Sequence, residues 1–128
     1  AEFIVSPVYK PKLIQMAHRY DKVVVPGAFT PTEIITAWEK GADIVKVFPA
    51  SFNGPKYLKA IHGPLPQVKL SPTGGVNMDN AAGFIKSGAS FLGVGSALIK
   101  KELVANSDWQ GLEEHARKFK KLVQKARN

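Results

Sequence analysis

One lysine of this chain, Lys46, lies inside the largely apolar segment Asp-Ile-Val-Lys-Val-Phe at residues 43–48. Side chains of a strand alternate between two faces, which places Lys46 beside Ile44 and Phe48, with the two valines on the opposite face. Both faces are apolar, as in a strand covered on both sides, and burial disfavours a charged ammonium. The position therefore predicts a neutral amine that attacks a carbonyl carbon. A lysine that reaches water, or one that pairs with a carboxylate, is the alternative interpretation.

Two glycine-rich loops are the second feature with a chemical use. Gly74-Gly75 and Gly93-x-Gly95-Ser96 each follow an apolar run and open a stretch with helical spacing. Such loops present bare backbone N–H groups and helix amino ends to an anion, as in the last two loops of phosphate-binding barrels. Glycines that only form tight turns are the alternative. Because the two loops occur in consecutive units, the sequence favours a phosphate site that includes Gly74, Gly75, Gly95 and Ser96.

These residues need a repeating strand–helix framework to bring them together. Short apolar runs begin 19 to 25 residues apart, and each precedes a stretch with helical periodicity. The pattern predicts five βα units around a parallel sheet, in one domain that spans residues 1–128. The predicted strands are residues 3–5, 22–25, 43–48, 68–70 and 90–94. Ligands of such sheets bind at the carboxyl ends of the strands, where the glycine loops lie.

Capping motifs in the sequence also predict where several helices begin. Thr30 and Glu33 form a capping box in Thr-Pro-Thr-Glu, Asn77 is a candidate N-cap, and Ser107 with Gln110 is a second candidate capping box. The two tryptophans, Trp38 and Trp109, are predicted to pack in the core. A stripe of apolar residues from 112 to 126 predicts a C-terminal helix with one buried face.

Composition narrows the functional classes. The chain has 128 residues, is 45% hydrophobic and 22% charged, and contains no cysteine, which is typical of a globular domain in a reducing, cytoplasmic setting. No secretory or membrane-spanning segment is expected, and the widely spaced histidines predict no metal site. The net charge is +8, but six of 18 cations fall in the last twelve residues. We therefore expect no nucleic-acid or membrane partner, with a basic amphipathic helix as the alternative for that segment.

Several motifs together resemble one enzyme family. Lys-Val-Phe-Pro at 46–49, Pro-Thr-Gly-Gly at 72–75 and Gly-Val-Gly-Ser at 93–96 occur in the order and spacing of the class I 2-keto-3-deoxy-6-phosphogluconate (KDPG) aldolases, also called KHG/KDPG aldolases. The resemblance runs along the whole chain. It implies an α/β fold of the TIM (β/α)8 barrel type, in which this chain supplies strands four to eight. The first three units are then expected to be absent from this chain.

The resemblance assigns roles to individual residues. Lys46 matches the family's Schiff-base lysine, and Thr73 matches the threonine that helps to hold the bound pyruvyl group. The remaining matches are Gly74, Gly75 and Ser96 for the phosphate cradle and Phe48 and Pro7 for the pocket walls. No cofactor or metal is implied, because a protonated imine is the electron sink.

The implied reaction cleaves KDPG, and also 4-hydroxy-2-oxoglutarate, with KDPG giving pyruvate and glyceraldehyde 3-phosphate. The family's general base, a glutamate on an early strand, has no match in this chain, and none of the ten carboxylates is placed at a ligand-side strand end. The isolated chain is therefore expected to be nearly inactive. A homotrimer is implied, the phosphogalactonate analogue is the rival substrate, and a non-catalytic phosphosugar-binding half-barrel is the alternative from another functional class.

Overall fold

The computed structural model describes residues 1–128 and shows an α/β chain in which short parallel strands alternate with helices. The strands are β1 (Phe3–Val5), β2 (Val23–Val25), β3 (Gly27–Ala28), β4 (Val45–Val47) and β5 (Leu70–Pro72). The helices are α1 (Pro11–Arg19), α2 (Pro31–Glu39), α3 (Gly54–His62), α4 (Ala81–Lys86), α5 (Lys101–Ala105) and α6 (Trp109–Arg127). None of these helices has both the length and the apolarity that crossing a membrane requires.

The strands pair side by side in the order in which they occur in the chain. β1 pairs with β2 in one sheet, and β3, β4 and β5 follow one another in a second sheet, all parallel. Only Pro26 separates β2 from β3, and its carbonyl accepts a hydrogen bond from the Lys46 N–H at 2.9 Å. Gly27–Ala28, which lies beyond the predicted strand at 22–25, is therefore a strand that continues β2 towards the ligand side.

The fifth predicted strand, residues 90–94, does not form. The segment makes only isolated parallel bridges, Leu70 with Ala89 and Thr73 with Gly93. Gly93 contributes no side-chain packing, and the segment has a strand partner on one side only, so a regular ladder is not sustained. The predicted strand at 68–70 is also shifted to Leu70–Pro72, because the Val68 N–H closes a turn on the Leu65 carbonyl at 3.2 Å.

The two faces of β4 have different surroundings. Val45 and Val47 are 0% and 1% exposed and pack in a core built from the inner sides of helices α1 to α4. On the other face, Lys46 is half-buried and Phe48 is exposed. The expectation that both faces of this strand are covered is therefore wrong for this chain, because all of the core-forming helices lie on the Val45 side.

Local capping explains where the helices begin, with two corrections. The Thr30 capping box is confirmed: the Glu33 N–H donates to Thr30 Oγ1 at 3.3 Å, and the Thr30 N–H donates to Glu33 Oε2 at 2.8 Å. Asn77 caps a turn before α4, whose own N-cap is Asn80. The capping box at Ser107 is wrong, because the Asp108 side chain caps α6 instead.

The tryptophans and the last helix lie nearer to solvent than expected. Trp38 and Trp109 are 40% and 61% exposed, so their predicted place in the core is wrong. The apolar stripe of α6 packs against the core through Phe119, which is 5% exposed, while the lysines of the helix remain in solvent. Each tryptophan lies near an end of its helix, where helical periodicity constrains packing least.

Candidate active site

Two neighbouring cavities open on the side of the sheet away from the core. The first, which we call the loop cleft, has a volume of about 410 Å³ and lies between the loop after β5 and residues 93–97. Its lining includes six of the eight predicted site residues: Phe48, Thr73, Gly74, Gly75, Gly95 and Ser96. The second, the strand groove, has a volume of about 800 Å³ and is formed by the exposed strand faces, including Lys46. The structure thus brings together most of the residues that the sequence singled out.

The loop cleft is lined by free backbone donors. The N–H groups of Gly74, Gly75, Gly95, Ser96 and Ala97 make no hydrogen bond within the chain. Gly74 and Gly75 have φ angles of 87° and 74°, a left-handed conformation that side chains disfavour and that turns successive N–H groups in one direction. Donors from two loops around one concavity form a site suited to an anion such as a phosphate group.

Two side chains, Asn80 and His115, hold the glycine loops in place by hydrogen bonds to backbone carbonyls of the loops. Asn80 Nδ2 donates to the Gly75 carbonyl at 2.9 Å, while Asn80 Oδ1 accepts from the Asn77 N–H. On the second loop, the Ala97 carbonyl lies 2.8 Å from His115 Nε2. Sequence reasoning missed Asn80 and His115, because neither contact is marked by a local motif.

Lys46 lies beside the loop cleft. Its Nζ is 4.6 Å from the centroid of the Phe48 ring, and the edge of that ring would lie 3.4 Å from a Cβ added at Gly74. No carboxylate lies within ion-pair distance of Lys46. The alternative interpretation of Lys46 as the partner of a buried acid therefore has no support, and the amine is free on the groove side of the sheet.

Thr73 and Gly93 border both cavities. A Cβ added at Gly93 would lie 2.1 Å from Thr73 Oγ1. Position 93 therefore has no room for a side chain beside Thr73. Thr73 Oγ1 lies 3.4 Å from the Ser71 carbonyl. Thr73 therefore lies between Lys46, which lines the strand groove, and the glycine loops, which line the loop cleft. The Gly-x-Gly spacing indicated Gly93, but not its contact with Thr73.

Pro7 is the predicted site residue that the structure places elsewhere. It is exposed in the loop after β1 and lines neither the loop cleft nor the strand groove. Its carbonyl instead packs against Gly27, where an added Cβ would lie 2.1 Å from the Pro7 oxygen. Pro7 positions the start of β3 here, and its place in a pocket wall stays a prediction.

The carboxylates are distributed away from the loop cleft. Glu2 and Asp43 line the strand groove at the amino ends of β1 and β4, opposite to the glycine loops. Asp43 Oδ2 accepts from the Val24 N–H at 2.9 Å and lies 3.4 Å from His18 Nε2. No group of three or more His, Asp or Glu side chains is arranged to hold a metal ion. The loop cleft therefore has no acid among its lining residues, and the two acids of the strand groove lie at the end away from the glycine loops.

An aromatic pair braces the neighbouring loop after β3. Tyr57 Oη donates to the Phe29 carbonyl at 2.5 Å, and the two rings stack with centroids 5.2 Å apart. Burial, and secondarily the charge of Glu33, raises the pKa of Tyr57, which keeps the phenol in its donating form. The backbone N–H groups of Thr30 and Phe29 lower the pKa of Glu33. The hydrogen bonds from Tyr57 and to Glu33 connect this loop to α3 and α2.

Known proteins identify the family to which this arrangement belongs. The family described as KDPG and KHG aldolase matches residues 1–115. The chain belongs to the KDPG and KHG aldolase family. Among its relatives, the 2-dehydro-3-deoxy-6-phosphogalactonate aldolase of Escherichia coli strain K12 is 39% identical over 100 residues, which are 77% of this chain and 49% of the relative. The chain thus spans about half the length of the curated relatives that it matches.

Solved aldolase structures share the fold. A structure described as native KDPGal superimposes with a TM-score of 0.83 and 34% identity, covering 97% of this chain and 61% of the other. The KDPG aldolase from Legionella pneumophila, with pyruvate captured as a covalent carbinolamine, gives a TM-score of 0.77 and 30% identity, covering 90% and 56%. The family membership and the α/β fold expected from the sequence are therefore confirmed.

Proposed function

We propose that this chain carries the Schiff-base lysine and the phosphate site of a class I aldolase that cleaves KDPG to pyruvate and glyceraldehyde 3-phosphate. One observation carries the proposal: the free amine of Lys46 lies beside a cleft lined by bare N–H groups, with Phe48 and Thr73 between them. The covalent carbinolamine in the Legionella relative supports amine attack on pyruvate as the family's chemistry.

In the proposed reaction, the neutral amine of Lys46 adds to the C2 carbonyl of the substrate, and loss of water gives a protonated imine. A base takes the proton from the C4 hydroxyl, the C3–C4 bond breaks, and its electron pair moves into the imine to form an enamine. Glyceraldehyde 3-phosphate leaves, and a proton is added to C3. Water then hydrolyses the imine, which releases pyruvate and restores the lysine. The iminium accepts the electrons, so the step needs no metal.

Substrate binding is proposed to rest on the two loops. The phosphate group accepts hydrogen bonds from the N–H groups of Gly74, Gly75, Gly95 and Ser96, which have no acceptor within the chain. Thr73 stands between this site and Lys46, where its hydroxyl can bond the pyruvyl carboxylate. Hydrogen bonds to a charged acceptor are about twice as strong as neutral ones, so the phosphate group anchors one end of the substrate. A substrate anchored at one end holds its reacting carbonyl at a fixed distance from the lysine.

The base is the part of the reaction that these cavities do not supply. The carboxylates of the strand groove, Glu2 and Asp43, lie at the end away from the glycine loops, and none lines the loop cleft. We therefore expect the 128-residue chain alone to cleave KDPG negligibly. Joining it to the upstream βα units of a longer relative is expected to restore turnover.

We further propose that the five consecutive units form an arc of a (β/α)8 barrel, as strands four to eight. The parallel order of the strands supports this, and so does the exposure of apolar side chains along the strand groove. Phe3, Val5 and Val23 are 60%, 49% and 44% exposed there, on a surface that further strands would cover. A homotrimer and a cytoplasmic setting stay predictions.

A coupled assay that measures pyruvate release tests this function. The chain joined to upstream units should cleave KDPG, the same protein with Lys46→Arg should lose that activity, and the chain alone should show almost none. Robust cleavage by the chain alone would contradict the assigned lack of a base. If the joined protein binds the phosphosugar but never releases pyruvate, the non-catalytic binding function is correct instead.

The phosphogalactonate analogue is the second candidate substrate. The relative of that name is 39% identical to this chain. The two sugar acids differ in the configuration of one hydroxyl, so parallel kcat/KM measurements on both decide between them.

A further inference from the structure

His115 of the last helix contacts Ala97, which lines the loop cleft, and has no role in the reaction proposed above. It lies in the middle of α6, is half-buried, and places Nε2 2.8 Å from the Ala97 carbonyl. Its ring meets the edge of Phe119, with centroids 5.5 Å apart and planes at 86°. Because Phe119 is part of the core, this contact packs the imidazole against the core.

The direction of this hydrogen bond follows from its partner. A carbonyl oxygen can only accept, so His115 Nε2 carries the proton. The neutral Nε2–H tautomer and the imidazolium both donate at this atom, and the contact with Ala97 therefore persists in either charge state.

Ala97 belongs to a single helical turn at the mouth of the cleft. The Leu98 and Ile99 N–H groups both donate to the Gly95 carbonyl, at 2.9 and 3.0 Å. In such a turn, the carbonyls point towards one end and the first N–H groups towards the other. The Ala97 carbonyl shares its peptide plane with the Leu98 N–H, which closes this turn on the Gly95 carbonyl. A donor to the Ala97 carbonyl therefore holds the turn and, through the turn, the free Ser96 and Ala97 N–H groups of residues that line the loop cleft.

The rest of this segment is joined to β5 by the backbone hydrogen bonds of Ser90 and Gly93, and its apolar side chains pack on the core. Residues 90–97 contain no regular strand or helix, and α6 reaches them at two carbonyls, Ala97 through His115 and Ser90 through Arg127 Nη2. On the first glycine loop, Asn80 holds the Gly75 carbonyl in the same way. Each half of the phosphate cradle is thus tied by one side chain to the helical layer.

We infer that His115 is a positioning residue for phosphate binding: it holds the Ala97 carbonyl so that the Gly95–Ala97 amides face the anion. The inference rests on the proposed phosphate role of the loop cleft. Loss of the donor lets the turn rotate and weakens phosphate binding by about 5-fold, the scale of one hydrogen bond. Pyruvate trapping on Lys46, which involves no phosphate, stays unchanged.

An NMR titration of the ¹⁵N-labelled chain with inorganic phosphate tests the inference. In the native chain, the amide signals of Gly74, Gly75, Gly95 and Ser96 should shift together. His115→Leu should raise the Kd by about 5-fold, whereas His115→Gln, which retains a donor, should stay within about 2-fold of the native value. Arg117→Ala is the matched control, because it removes an exposed ion pair with Glu113 from the same helix.

The outcomes separate this inference from the function on which it rests. Equal phosphate affinity in the native chain and the His115→Leu variant would overturn the positioning role. Absence of amide shifts in the native chain would instead remove the phosphate site itself. If His115→Leu does not fold, the ¹⁵N spectrum of the native imidazole still decides: a proton on Nε2 supports the inference, and a neutral ring with its proton on Nδ1 overturns it.

Discussion

Replacing Gly93 with alanine introduces a methyl group into space that the Thr73 side chain already occupies. The new Cβ would lie 2.1 Å from Thr73 Oγ1, 2.8 Å from its Cγ2 and 2.9 Å from its Cβ. Because all three side-chain atoms are too close, rotation of Thr73 about χ1 exchanges one clash for another. The backbone of residues 90–94 or of the loop after β5 must move instead.

The expected cost follows from measurements on overpacked interiors. Inserting one methyl group without room destabilises a protein by about 1–3 kcal/mol. For a domain of this length, that corresponds to a fall in Tm of roughly 4–12 °C. Gly93 does not have a positive φ angle, so the clash and not backbone strain accounts for the loss.

Thermal unfolding followed by circular dichroism measures the effect, with Gly95→Ala as the matched control. Gly95 also lacks a positive φ angle, and a Cβ added there meets nothing within 4 Å, so its Tm should be unchanged or slightly higher. Thr73→Ala should partly rescue Gly93→Ala, because it removes the two atoms beyond Cβ. Equal Tm values for the two glycine variants would refute the close approach of Gly93 and Thr73.

Three further outcomes are expected. Thr30→Ala removes the N-cap of α2 and should lower the free energy of unfolding by about 1 kcal/mol in urea titrations, and an unchanged value would contradict the capping role. Because the pKa of Glu33 is lowered in the folded chain, its contribution to stability is present above the ordinary pKa of glutamate. That contribution is lost as the pH falls through the lowered value, and Glu33→Gln should remove this part of the acid dependence of urea unfolding. Acrylamide should quench the fluorescence of both Trp38 and Trp109, which are 40% and 61% exposed, and a shielded pair would contradict their placement.

Features encoded in a few neighbouring residues were predictable from the sequence. The Thr30 capping box depends on side chains three positions apart, and the alternation within β4 correctly puts Val45 and Val47 on one face and Lys46 on the other. The two glycine loops meet because parallel strands end at the same edge of a sheet, which also follows from the order of the units.

Features that depend on distant neighbours were not predictable in this way. Residues 90–94 have strand-like composition, but a regular ladder also needs hydrogen-bonding partners on neighbouring strands. Glycine is required at position 93 because of the nearby Thr73 side chain, which lies outside this segment. The burial of Lys46 depends on what lies across the strand groove, which the pattern of β4 does not contain. The contact between His115 and Ala97 joins residues 18 positions apart and carries no local motif.

The central claim is that Lys46 is the amine that forms a Schiff base beside the phosphate site. Borohydride reduction in the presence of pyruvate, followed by peptide mass spectrometry, tests this claim most directly, with Lys46→Arg as the control. The reduced pyruvyl group should be found on Lys46 above every other lysine, at low yield in the chain alone, and should vanish in the variant. Labelling spread evenly over the exposed lysines, or retained in Lys46→Arg, would contradict the claim.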